Sequence, residues 1–183
     1  MRNVAAVIIA LLLSAPLNLM ADQTDPRLDA LFGRLQTTDD ANDAALVTNL
    51  IWTIWHQSDD DRMNDLMRRG LAEMSAQSYP AAVETFSAMI DLDARFAEAW
   101  NKRATVYYLI GDYGASVKDI DKTLELEPRH FGALSGLGLI MTALGNDEAA
   151  ISAFEATLAV HPFAEGARQN LEALQARQKR RSL

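Results

Sequence analysis

Residues 97–128 read AEAWNKRATVYYLIGDYGASVKDIDKTLELEP. Two helical stretches meet at Gly111, and the second is stopped by Pro128. Glycine ends a helix readily because it enters the left-handed region without a Cβ penalty. Proline stops one because it lacks an N–H and disfavours a helical residue before it. The flanking sequence repeats this plan without gaps at a spacing of 34 residues, giving units 63–96, 97–130 and 131–164. Position 4 holds Leu66, Trp100 and Leu134, and position 8 holds Gly70, Ala104 and Gly138. Position 20 holds Ala82, Ser116 and Ala150, and position 24 holds Phe86, Ile120 and Phe154. Ala94, Pro128 and Pro162 stand at position 32.

A fixed period of this length is the mark of stacked supersecondary units. Within each unit the pattern predicts helix A over positions 2–14 and helix B over positions 18–31. Small residues at position 8 are expected to face small residues at position 20 and let the backbones approach, with the larger residues at 4 and 24 filling the flanks. Gly145 ends its helix A as Gly111 does, and Pro80 starts a helix B, where its missing N–H costs little.

These positions resemble the tetratricopeptide repeat, whose W, A, Y, G, Y, S, L and P the quoted stretch matches. Unit one is more divergent, with Glu73 at position 11 and Ala94 in place of proline. NKRAT and EPRHFGALSGLG also look like small exported single-domain members in Gram-negative bacteria. The resemblance implies an all-α, short right-handed superhelical solenoid of three antiparallel helix pairs whose A helices line a concave groove. Its ligand positions 2, 5, 9 and 12 share one helix face. Here they include Asn64, Met67, Leu71 and Met74 in unit one, Glu98, Asn101, Thr105 and Tyr108 in unit two, and Ser135, Leu139 and Thr142 in unit three. The methionines are adaptable apolar contacts, and the amide and hydroxyl groups suit a peptide backbone. The N-terminal helices could instead cover those methionines. Family members that grip a C-terminal carboxylate use lysine and asparagine at positions 5 and 9. Met67/Leu71, Asn101/Thr105 and Ser135/Leu139 do not make that clamp. The resemblance also implies a structural ion pair between Arg103 and Asp119, at positions 7 and 23. Thr85 occupies the matching place for Arg69, which leaves its partner open, with anion binding as the alternative.

Outside the repeats, residues 1–21 read as an export signal: Arg2, an apolar run at 4–13, Pro16, and cleavage after Ala21. The run is short of the roughly 20 residues a spanning helix needs, so no stable membrane insertion is expected after cleavage. Retention as an anchor is the alternative. Residues 22–62 are expected to form a helical pair over 26–37 and 40–57 that caps unit one. On its second helix Leu46, Val47, Leu50, Ile51 and Ile54 form a face opposite Trp52. Residues 165–183 are expected to form a capping helix, with Ala167, Leu171, Ala173 and Leu174 inward, and a solvated basic tail.

The 183 residues carry a net charge of −8 and no cysteine. That balance argues against nucleic acid and anionic membranes as partners. It excludes disulfides and thiolate sites, and with export it suits a periplasm. His56, His130 and His161 are not at metal-ligand spacing and read as surface or turn residues. Gly132, Gly136 and Gly138 lack the strand or Gly-Lys-Ser/Thr context of a phosphate loop. Ser58, Asp59, Asp60 and Asp61 read as a helix cap, not a calcium loop. With no cofactor motif or catalytic set, the sequence points to a non-enzymatic adaptor for a protein or peptide partner, plausibly in envelope assembly or integrity. A homodimer through Trp52, Trp55 or the stack ends is the competing expectation, and an enzyme with an unrecognised site a remote one.

Overall fold

The computed structural model describes residues 22–181, so the export signal lies outside the described residues. These form nine helices and no strand. Helices α1 (Arg27–Thr37) and α2 (Ala41–His56) precede three A/B pairs. The pairs are α3 (Asp61–Ser75) with α4 (Tyr79–Leu92), α5 (Ala97–Leu109) with α6 (Tyr113–Leu126), and α7 (Phe131–Ala143) with α8 (Asp147–Val160). Helix α9 (Glu165–Arg181) follows. The chain is an all-α repeat solenoid. Its second and third units start and stop each helix one residue earlier than the sequence pattern predicts.

Local chemistry sets the boundaries. Asp40, Asp60, Asp112, His130 and Asn146 each accept a backbone N–H of the helix they open. Position 15 turns the chain through positive φ in every unit, at Gln77 (φ 57°), Gly111 (82°) and Gly145 (75°). Only unit one does so with a side chain that strains there.

The close approach at position 8 is governed chiefly by position 24. A Cβ on Gly70 would meet the Phe86 ring at 2.6 Å, and one on Gly138 would meet the Phe154 ring at 2.6 Å. Unit two makes the reverse choice, with Ala104 and the slimmer Ile120. There position 20 does meet position 8, because Ser116 Oγ donates to the Ala104 carbonyl at 2.7 Å.

The helix at the C-terminal end packs Ala167 and Leu174 on α8, while Ala173 faces solvent. The basic end is not a free tail: Arg177 and Arg181 both donate to the Asp147 carboxylate at the start of α8, at 3.0 and 2.8 Å.

The N-terminal pair departs most from expectation. It does not cap unit one. It lies along one edge of the stack and touches each turn that leads from a helix B to the next helix. Gln23 bonds the Arg95 carbonyl and accepts the Ala97 N–H. Asp29 accepts from Arg129 at 2.7 Å. Thr48 Oγ sits 3.1 Å from His161 Nε2. Leu28, Phe32, Leu35, Val47, Ile51, Ile54 and Trp55 form one core with Phe131, Val160 and Phe163. The inward face of α2 is therefore rotated from the predicted one. Leu46 and Leu50 are 52% and 41% exposed, whereas Trp55 is 2% exposed.

Overpacking a core contact costs roughly 1–3 kcal/mol. Gly138→Ala is expected to lose about that much in urea unfolding, and Ile120→Phe likewise. Adding Ala104→Gly to Ile120→Phe should recover most of the loss, because it recreates the arrangement of units one and three.

Candidate functional site

Two features converge on helices α5 and α7: an open groove pocket, and a buried polar cluster behind it.

The pocket has a volume of about 320 Å³. Asn101, Thr105, Tyr108 and Leu109 line it from α5, and Ser135, Gly136, Leu139 and Ile140 from α7, with Ile120 contributing from α6. The turn-to-turn spacing of these residues puts them on one wall of each helix. Most of the lining is apolar. The Thr105 hydroxyl donates to the Asn101 carbonyl at 2.9 Å, so toward a ligand it acts as an acceptor. Thr142, outside the pocket, bonds the Gly138 carbonyl in the same way. Tyr108 leans on Tyr113, ring centres 5.8 Å apart.

The sequence assigned Glu98 to this groove, and the structure corrects that. Glu98 is 1% exposed and lies under α2. Its Oε2 accepts from Asn101 Nδ2 at 2.9 Å and pairs with His130 Nε2 at 2.8 Å. Its Oε1 stands 2.9 Å from Lys102 Nζ, as an ion pair, and 2.9 Å from His56 Nε2, in both cases without an aligned hydrogen bond. Burial is the largest single influence on the carboxyl and pushes its pKa up. The Lys102 charge, the bond from His130 and the close approach of His56 together outweigh burial and hold it well below the usual carboxylate range. His130 is fixed as a tautomer by its other nitrogen, which accepts the Ala133 N–H at 3.1 Å as the cap of α7. Its proton is therefore on Nε2, facing Glu98.

Aromatic rings from α2 seal the cluster. Trp55 stacks on His130 with centroids 4.1 Å apart and planes 11° from parallel. Trp52 stacks on His56, and Lys102 sits 5.0 Å over its ring. A Cβ on Gly132 would meet Trp52 at 2.7 Å, so this glycine makes room for the indole. Trp55 is thus buried and Trp52 partly covered, both engaged within the chain. The histidines, expected at the surface or in turns, are instead seam residues: His130 is wholly buried and His161 nearly so.

Unit one contributes little to the groove. Asn64 is tied to the Ser58 backbone by 2.9 and 2.7 Å bonds. Met67 is 3% exposed in a core with Phe86, Met89 and Phe96, covered by its own unit and α5 and not by the N-terminal helices. Leu71 and Met74 pack against the same core. Asn64, Met67 and Leu71 border a separate polar hollow beside Asp61, Asp65 and Arg68.

Arg103 closes a bidentate fork on Asp119 at 2.7 and 2.9 Å, also bonding Ser87 at 2.9 Å. Arg69 has a partner the sequence reading did not supply. Glu73, the unusual residue at position 11, accepts from Arg69 at 2.8 Å and from Thr85 at 2.6 Å.

The family model of the tetratricopeptide repeat matches residues 67–122 and 110–167. The chain belongs to this family. A tetratricopeptide-repeat protein of Rhizobium etli is 36% identical over 98 residues, covering 54% of this chain and 48% of that protein. This chain thus matches about half the length of that curated relative. Among solved structures, the first tetratricopeptide-repeat domain of Spaghetti (RPAP3), bound to the HSP90 peptide SRMEEVD, superposes with TM-score 0.63 at 20% identity. It spans 66% of this chain and 96% of that one. PcrH in complex with the chaperone binding region of PopD gives 0.61 at 21% identity, spanning 64% and 94%. MamA gives 0.58 at 21% identity, spanning 79% and 77%. These likenesses establish the repeat fold. Among the described residues, no acidic, histidine or cysteine cluster could hold a metal ion. No described helix is long and apolar enough to cross a membrane.

Removing the charge of Glu98 leaves the partly buried Lys102 beside a neutral amide. Breaking such a pair typically costs about 3–5 kcal/mol, and Glu98→Gln is expected to fall in that range by chemical denaturation. The acid profile gives the sign. The folded pKa of Glu98 lies below its ordinary value of 4.5, so its stabilisation is complete above that pH and is lost as pH falls through the folded value. Unfolding of Glu98→Gln should therefore depend less on pH below about 4.5 than that of the parent.

Proposed function

We propose that the protein is an exported, non-enzymatic adaptor that holds a segment of a protein partner in the groove between α5 and α7. The observation that carries this reading is the open pocket of about 320 Å³, apolar over most of its lining and edged by an amide, hydroxyls and one phenol. That mixture suits an apolar side chain of a peptide, with backbone N–H groups meeting the oxygens of Asn101, Thr105 and Ser135. The related folds support it by analogy: the RPAP3 domain is bound to a peptide, and PcrH is bound to a region of PopD.

The ligand class differs from a C-terminal carboxylate. None of the residues lining the pocket is cationic, so an internal segment, extended or helical, is the better occupant. Location in the periplasm rests on the composition of residues 1–21. Assembly or integrity of the envelope is the setting that location suggests.

A photo-crosslinking amino acid at Leu139 is expected to give a discrete adduct in cells, whereas one at Leu92, exposed outside the groove, should not. Gly136→Leu provides the control. A Cβ there meets only Ile120, at an ordinary 3.6 Å, and replacing a helical glycine gains about 0.5–1 kcal/mol. The variant should stay folded, fill the pocket and abolish the adduct. Adducts that persist unchanged in it would move the binding surface out of the groove.

A further inference from the structure

All three histidines of the chain lie on one seam, where the N-terminal helix pair meets the repeats. They come from different places: His56 from the end of α2, His130 from the turn before α7, and His161 from the turn before α9. Nothing about the repeat pattern requires this. We propose that the α1–α2 pair is an acid-releasable strap, docked when His161 is neutral and freed from the repeats when it takes up a proton.

The argument is one of charge and hydrogen-bond capacity. One carboxylate, Glu98, serves the central part of the seam, and Lys102 already balances it at 2.9 Å. His130 uses both ring nitrogens, Nε2 toward Glu98 and Nδ1 as acceptor for the Ala133 N–H. His161 has Nε2 against Thr48 of α2 and its ring edge-on to Phe131, 4.9 Å between centroids. Its Nδ1 is buried with no partner. A proton there finds no acceptor.

The surrounding charges do not rescue this. Around His161 the neighbours are Asn49 and Thr48 from α2, with Glu165 and Arg168 at the start of α9. Those last two face each other at 3.9 Å. Around His130 the charged groups are Glu98 and Lys102 of α5 and His56 of α2. In the same turn Arg129 is engaged by Glu127 and by Asp29 of α1. His56 is different, being partly exposed and 2.9 Å from Glu98.

Burial lowers the pKa of His161 from its ordinary 6.5. For a base depressed in the folded state, the neutral form supports docking above that ordinary value. The support drains away as pH falls below it, since the released strap then binds the proton more strongly.

Release has a structural consequence. The strap covers Glu98, and Glu98 holds the amide of Asn101 in the groove. Freeing α2 would wet the carboxylate and loosen the orientation of a pocket residue.

The test is hydrogen–deuterium exchange of the protein at pH 7.5, 6.5 and 5.5, corrected for intrinsic exchange. Protection of α1 and α2 is expected to fall by roughly tenfold per pH unit below 6.5, as each unit of separation between folded and released pKa values dictates, while α5–α8 stay protected. His161→Gln keeps a partner for Thr48 but cannot titrate. That variant should show α1–α2 protection that no longer falls in this way across the range. Constant protection of the strap in the parent would overturn the proposal. So would an unchanged pH response in His161→Gln, or loss of strap and repeats together.

Discussion

A carboxylate that is 1% exposed must be matched by charge and hydrogen bonds or it will not stay ionised. Glu98 meets that demand with groups from three separate parts of the molecule. Lys102, one turn along the same helix, supplies the charge. His130 supplies a bond, and in doing so is held where it caps α7. Asn101 supplies another and is thereby oriented at the wall of the groove. His56 approaches from α2. The strap, the junction between units two and three, and the ligand-facing wall thus share one buried charge. Such a centre specifies arrangement more than it adds net stability, because α2 must sit in one register to satisfy it.

The repeats themselves were legible because their constraints recur. A helix-ending turn at position 15 and a small residue at position 8 came back every 34 residues, and each recurrence supported the frame. The exchange between positions 8 and 24 could also have been read from the sequence: glycine stands with phenylalanine twice and alanine with isoleucine once. The reading put the small partner at position 20, which does meet position 8 in unit two, whereas in units one and three the ring at 24 is what lies over the glycine. The Glu73 partner of Arg69 was visible four residues along the helix, where side chains meet, but its position is one where an apolar residue was expected.

The placement of α1 and α2 was hidden for a physical reason. A helix apolar on nearly all sides does not declare which face is inward, and α2 resolved that choice in favour of Trp55 over Leu46 and Leu50. Stacking on unit one would have continued the solenoid, yet the pair runs along the turn edge, where aromatic and imidazole rings offer flat partners. The signals were scattered singly: His130 after a proline turn, Gly132 where Trp52 needs space, Lys102 one turn after Glu98. Each is unremarkable alone, and only the folded chain brings them together.

That placement decides where a ligand can lie. With α2 across the start of α5, position 2 of that helix, Glu98, is closed and its free wall begins at position 5, whereas Gly132, position 2 of α7, still lines the pocket. Unit one withdraws as well, since Asn64 ties down its own linker and Met67 fills its own core. What remains open is the wall shared by units two and three, where Gly136 and the neighbouring small residues of α7 leave the depth that Tyr108, Leu109 and Leu139 border. Recognition is thereby concentrated in one short pocket and not spread along three units. That favours the capture of a single anchoring side chain, with the backbone on either side held by the amide and hydroxyl oxygens at the pocket edge.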